Sequence, residues 1–234
     1  MRKSALLGAQ EGLEGHFANV FDIDIVLGYK MAEFFDFCRY LTFYGYKADG
    51  FEGKLSAPEE LVRNHVGNCW DQTELQREWF EKHGYEVKIY LLYYYVRDDL
   101  CPSHSILAFR GKSSDFGGED GTKKGLKQGF RDGFKEGKWY WFEPMFGRSQ
   151  GDSGDGLGVE YAGIHEYDSE RELLADFWRV FGLNGQRTGK LPEKLEKERW
   201  ALYEYERPEY GISDVEFYNH CRMGRKIEVG ELGV

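Results

Sequence analysis

Hydrophobic positions first fall into register at Tyr29. Residues 1–28 carry only a weak pattern. From there Met31, Phe34, Phe35, Cys38 and Leu41 recur at helical spacing and predict a helix that Gly45 can stop. Ser56, Pro58 and Glu59 read as a second helix start, with Ser56 as the cap, proline in the first turn and Glu59 three residues after the cap. This short helix runs through Leu61 and Val62 into a Gly67-Asn68-Cys69 turn. The helix after that turn carries the strongest signals in the chain. Asn68 is a good N-cap. Asp71 stands at the third position, where an acidic side chain suits a capping contact and the helix dipole. Leu75, Trp79 and Phe80 form an apolar face, Glu78 and Lys82 are a favourable i,i+4 pair, and Lys82, His83 and Gly84 suit the C-terminal end.

Tyr85 to Val96 is rich in aromatic and β-branched residues and predicts a buried strand, with Tyr93, Tyr94 and Tyr95 divided between core and surface. Ser103 to Phe109 predicts a second strand, and Lys138 to Glu143 a third, stopped by Pro144. Between them, Gly111 to Gly137 holds eight glycines, many charges and the near-repeat GFRDG-FKEG. It reads as a long, solvated hairpin insertion whose glycines match no phosphate-binding loop. Gly147 to Gly158 reads as a further mobile loop. A strand follows near Val159 to His165. Ser169 and Glu172 form a capping-box pair opening a helix with Leu173, Leu174, Phe177, Trp178 and Phe181 on one face. Leu183 to Arg199 is a polar, basic connection, Trp200 to Glu206 a strand, and Ser213 with Glu216 starts a last short helix through Cys221. Helices first and mostly antiparallel strands afterwards predict an α+β domain. The organisation expected is an N-terminal segment at 1–28, a core at 29–182 and a C-terminal extension at 183–234 packed on it.

Composition supports a folded chain. Aromatics make up 17% of the 234 residues, and each one buried removes about 150–250 Å² from water, so whole-chain disorder is excluded. The net charge of −10 and the lack of a basic stripe argue against a nucleic-acid partner. The weakly apolar stretch Ala5 to Ala9 is too short and glycine-broken for a signal-peptide core, and no run approaches the roughly 20 apolar residues of a membrane span. The cytoplasm is therefore the expected location. Cys38, Cys69, Cys101 and Cys221 include no C-x-x-C pair, which favours reduced thiols over a disulfide scaffold. No Cys or His pair has structural-zinc spacing, and neither a metal nor another cofactor is expected.

Among the four cysteines, Cys38 falls on an apolar helix face and reads as core packing. Cys221 lies by a helix end, and Cys101 precedes Pro102 in a loop. Cys69 differs because it stands in the first turn of a strong helix. Unpaired backbone N–H groups and the helix dipole favour an anion there, and the Cys69 N–H is placed to bond a developing oxyanion. A buried structural cysteine fits that position equally well. The downstream pattern adds His104, on a strand face shared with Ile106 and Ala108, and Glu143, the acidic end of an otherwise apolar strand. A carboxylate closing such a run either leaves the core or is held there by a partner. On adjacent strands the two can face one another, with His104 taking the thiol proton and Glu143 fixing its tautomer. Trp70 and Gln72 are candidates for a second oxyanion donor or for substrate binding. Asp71 reads as a helix cap rather than a catalytic acid. His83 reads as a dipole-complementing residue at a helix C-terminus, and His165 as structural.

Three motifs together resemble the transglutaminase-like superfamily over about residues 29 to 181. GNCWDQ at 67–72 is similar to its nucleophile motif, PSHSILAF at 102–109 to its histidine strand, and WYWFEP at 139–144 to its acid strand. The Cys, His, acid order is also that family's, and SAPEELVRNHVG resembles the lead-in of bacterial members. The resemblance implies a papain-like fold with the cysteine helix packed on an antiparallel sheet, a Cys69, His104, Glu143 triad, and a protein or peptide amide as substrate. Two features depart from the pattern. The acid is Glu143, one methylene longer than the usual aspartate. The spacing from His104 to Glu143 is 39 residues, of which the insertion accounts for 27, leaving an ordinary hairpin of 12.

The implied reaction is thiol-dependent acyl transfer through a Cys69 thioester. Hydrolysis, deamidation and transamidation share its steps, and the sequence neither chooses among them nor fixes an oligomeric state. One alternative is an acyl-CoA-dependent N-acetyltransferase, which acetyl-CoA turnover would distinguish. The other is a non-catalytic binding domain on the same fold, which ordinary thiol reactivity would reveal.

Overall fold

In a computed structural model, residues 16–43, 53–96, 99–112, 134–144, 163–182 and 200–233 are described. The chain folds as α+β. Its main sheet has six strands, all antiparallel: β3 (Val87–Val96), β4 (Asp99–Arg110), β5 (Trp139–Glu143), β6 (Gly163–Tyr167), β7 (Trp200–Glu204) and β8 (Arg225–Glu228), in the order β6-β5-β4-β3-β7-β8. Two short strands, β1 (Thr42–Phe43) and β2 (Val66–Gly67), pair in parallel apart from it. Six α-helices lie among the described residues: α1 (Ile23–Leu27), α2 (Met31–Tyr40), α3 (Pro58–Asn64), α4 (Cys69–Lys82), α5 (Glu170–Phe177) and α6 (Asp214–Arg222).

The sheet is buried on both faces, and strand alternation divides its side chains into two cores. Ile89, Leu91, Leu107, Phe109, Tyr140 and Phe142 pack under α2, α3, α4 and α6. On the opposite face Tyr90, Leu92, Ile106, Ala108 and Trp141 pack against Leu173, Leu174 and Phe177 of α5. Stacked ring pairs fill the first core, such as Phe80 on Phe109 with centroids 4.2 Å apart. The C-terminal stretch is more than an extension on the surface of the sheet, because β7 pairs with β3 and β8 pairs with β7. The N-terminal stretch also reaches the core, through Phe17 and Val26.

Several local expectations resolve differently. The cap of α3 is Ala57, with no side-chain bond; the Ser56 N–H instead donates to Asp71 Oδ1 at 2.8 Å. Glu78 pairs with Arg207, from the chain after β7, rather than with Lys82. The strand holding His104 begins at Asp99, earlier than expected. Beyond Phe177 the α5 helix continues as a π-turn over Trp178–Gly182. Gly45, the loop at 147–158, the connection at 183–199 and most of the glycine-rich insertion lie outside the described residues.

Candidate active site

Cys69 is placed by a chain of backbone devices. The α3 helix ends at His65, whose left-handed conformation (φ 55°) turns the chain into β2. The His65 Nε2–H donates to the Val20 carbonyl at 2.6 Å and holds the turn against the N-terminal segment. Asn68 then caps α4: its side chain accepts from the Asp71 N–H at 3.2 Å, and Asp71 Oδ2 accepts from the Asn68 N–H at 3.0 Å. Asp71 thus caps the helix as the sequence reading expects, and with its other oxygen on Ser56 the fully buried side chain also ties the loop before α3 to the start of α4. Asn68→Ala removes one arm of this box and is expected to cost about 1 kcal/mol of stability, read as a lower denaturant midpoint at unchanged slope.

The α4 helix itself is enclosed almost all round. Leu75, Trp79 and Phe80 are buried as the apolar pattern predicts, but so are Gln72, Thr73, Glu74, Gln76 and Arg77. Partners make that burial possible for the charged pair. Arg77 forks onto both oxygens of Glu74, at 2.9 and 3.2 Å, and Tyr205 donates to the same carboxylate at 3.3 Å. The Thr73 hydroxyl lies 2.7 Å from the Cys69 carbonyl and 3.3 Å from the Ser105 carbonyl, which fastens α4 to the strand beside His104.

His104 and Glu143 meet where the sheet opens. The β4–β5 ladder covers Ala108–Arg110 and Trp139–Trp141 and stops there. A bulge in β4 against β3 lies close by, since Leu92 faces His104 whereas Tyr93 faces Pro102. On the parting strands the His104 Nε2–H donates to Glu143 Oε2 at 2.9 Å, with both residues buried. Cys69 lines the same pocket as His104, and its sulfur is among the groups that raise the pKa of the imidazole. Phe177 of α5 stands 6.1 Å from the imidazole, centroid to centroid. The structure thus brings Cys69, His104 and Glu143 together from α4, β4 and β5.

The electrostatics of His104 follow from this geometry. Burial works against the imidazolium, but the Glu143 carboxylate, the Cys69 charge and hydrogen bonds to both outweigh it, raising the pKa from 6.5 to about 10. The ring therefore holds its proton at neutral pH. Because the folded value is the higher one, the proton stabilises the fold fully below about pH 6.5, and the contribution fades as pH rises through about 10. The stability gap between the native chain and His104→Gln is accordingly expected to narrow across that window in pH-dependent unfolding. By contrast, burial pushes the Cys38 and Cys221 thiols well above the ordinary range, so neither competes as a nucleophile at neutral pH.

A small pocket lies against the three residues. Cys69, Gln72, Thr73 and Gln76 form its helical wall, His104, Ser105 and Ile106 the β4 wall, and Phe142, Glu143 and Pro144 the rim from β5. Gln72 is therefore at the site. Trp70 is turned away, its ring against Phe217 and Tyr218 of α6 at 6.1 and 5.6 Å, and its Nε1 buried without a partner among the described residues. Gln76, Thr73 and Ser105 escape a reading confined to the cysteine motif. Gln76 follows Cys69 by seven residues, two helical turns, so the helix period alone places it on the same face. Among the described residues no group of three His, Cys, Asp or Glu could hold a metal ion, and no helix is long and apolar enough to cross a membrane.

Searches with this chain against family models, curated proteins and solved structures give no match. Cys69 at its helix N-terminus and the hydrogen-bonded His104–Glu143 pair line one pocket.

Proposed function

We propose that this chain is a thiol-dependent acyl-transfer enzyme on a papain/transglutaminase-like core, acting on a protein or peptide amide. The observation that carries the reading is the buried His104–Glu143 hydrogen bond at a pocket that Cys69 lines as well. The α+β fold, with the cysteine helix packed on an antiparallel sheet, supports it as well.

In the proposed reaction the Cys69 thiol proton resides on His104, and the thiolate attacks the amide carbonyl carbon. The oxyanion that forms is met by the Cys69 backbone N–H, which belongs to the first helical turn and has no partner within the helix. The side chain of Gln72, one turn on and in the pocket, serves as the second donor. The C–N bond then breaks, the imidazolium proton passes to the departing amine, and a thioester remains on Cys69. Water or an acceptor amine, deprotonated by His104, attacks the thioester and releases the thiolate. Glu143 accepts from the His104 Nε2–H throughout and holds the ring in orientation.

A peptide and glutamine-amide library is the direct test. Wild-type protein should release amine or ammonia and accumulate a covalent adduct at Cys69, detected as a mass increase; Cys69→Ala should do neither. Turnover of acetyl-CoA with an arylamine, without amide turnover, would move the assignment to an N-acetyltransferase. Absence of any adduct, with ordinary Cys69 reactivity, would leave a binding domain.

A further inference from the structure

Gln76 is 3% exposed, and its Oε1 has no hydrogen-bond partner among the described residues. Buried polar atoms in folded proteins are normally paired, so an orphan of this kind requires an explanation. Its position offers one, because Gln76 lines the same pocket as Cys69, His104 and Glu143. Two other polar residues of the pocket are already engaged: Thr73 with the Cys69 and Ser105 carbonyls, and the Ser105 hydroxyl with Tyr205 at 3.2 Å.

We propose that Gln76 is a specificity-determining residue whose carboxamide pairs with a primary carboxamide that the substrate carries several bonds from its reacting acyl carbon. This rests on the acyl-transfer reading of Cys69. Seven residues of helix separate the two α-carbons by about 10 Å along the axis, so Gln76 meets a second group of the substrate rather than the carbonyl under attack. The chemistry of that group follows from what a glutamine side chain presents. Its oxygen and one N–H project side by side, an acceptor beside a donor. A primary carboxamide has the same edge and forms two antiparallel hydrogen bonds with it. A trans peptide bond places its N–H and C=O on opposite sides and can satisfy only one. A carboxylate offers acceptors alone and an ammonium donors alone. Half a turn of the Gln76 amide exchanges its oxygen and nitrogen without altering its shape, so the side chain can match either approach of the ligand. The pocket is also lined by the apolar Ile106 and Phe142, an environment that favours such a pair over hydration.

Two chloroacetyl probes test this. In each, the Cys69 thiolate displaces chloride and forms a thioether. Chloroacetyl-glycinamide carries the primary carboxamide, and chloroacetyl-aminoacetone is its isosteric methyl ketone, lacking only the N–H donors. Wild-type protein should alkylate about tenfold faster with the amide than with the ketone, and Gln76→Met should bring the ratio close to one. Methyl methanethiolsulfonate is too small to reach Gln76, so its rate calibrates the intrinsic reactivity of Cys69 in each protein, and the probe rates are read relative to it. Equal rates for the two probes in the wild type, or a preference that survives in Gln76→Met, would overturn the proposal. If methyl methanethiolsulfonate reacts quickly and in a His104-dependent way while the probes are indistinguishable, only the Gln76 assignment falls. If it reacts as with a free cysteine, the acyl-transfer reading falls and takes the proposal with it. Should Gln76→Met fail to fold, the side-chain amide resonances of Gln76 in the wild-type glycinamide adduct give the answer. Slowed exchange and a downfield shift support pairing, and unchanged signals overturn it.

Discussion

Replacing His104 by alanine is expected to slow acylation of Cys69 by about 10²- to 10⁴-fold at neutral pH, the usual worth of a positioned acid–base group. The imidazole lines the pocket beside Cys69, and it carries its proton at neutral pH because Glu143 sits 2.9 Å from Nε2. Alanine removes both the proton acceptor for the thiol and the proton donor for the leaving amine. Glu143→Gln should lose less. Its amide oxygen can still accept from Nε2–H, so the ring keeps its orientation, but the charge that lifts the His104 pKa is gone. The two variants should therefore separate in a pH profile of single-turnover acylation: His104→Ala slow throughout, Glu143→Gln with its alkaline limb moved to lower pH. Equal acylation rates for the native chain and His104→Ala would mean that the imidazole has no part in the chemistry.

The largest effect on stability is expected at Glu74. Its carboxylate is wholly buried on α4, and Arg77 beside it is only 5% exposed. Burial raises the Glu74 pKa, and Arg77, chiefly through its charge, opposes the rise. Such a pair adds little net stability, but removal of one member leaves a buried charge without compensation. Glu74→Ala should therefore destabilise the fold by about 3–5 kcal/mol. The double change Glu74→Leu with Arg77→Met should recover most of that loss, since it deletes both charges and keeps the volume. Thermal or denaturant unfolding of the three proteins checks this, and a Glu74→Ala protein as stable as the double variant would show that the Arg77 charge is reached by water.

What the sequence reveals is uneven for identifiable reasons. The α4 start is legible because its signals are local: Asn68 and Asp71 form the expected reciprocal cap, and Ser213 with Glu216 does the same for α6. The meeting of His104 with Glu143 is legible because both sit on neighbouring strands, although nothing in the pattern shows the ladder ending just before them. Other features depend on tertiary contacts and leave no local trace. Ser56 has the right chemistry for a cap, yet Asp71, distant in sequence, takes its N–H. The α4 helix reads as amphipathic because Glu74, Gln76 and Arg77 are polar; the structure buries them anyway, two as an ion pair and one facing the pocket. The strand β8 has only Ile227 buried among its four residues, so it carries no pattern to find, and it forms by pairing with β7. Trp70 is a donor candidate by its place beside Cys69, but successive helix positions point about 100° apart, and its ring goes to α6 instead.

The pH dependence of Cys69 alkylation by iodoacetamide probes the central claim most directly. If His104 serves the sulfur, the native chain should react faster than His104→Ala at neutral pH, and the gap should close as pH rises through about 10, where the imidazole gives up its proton. Rates that are equal for the two proteins across that range would contradict it.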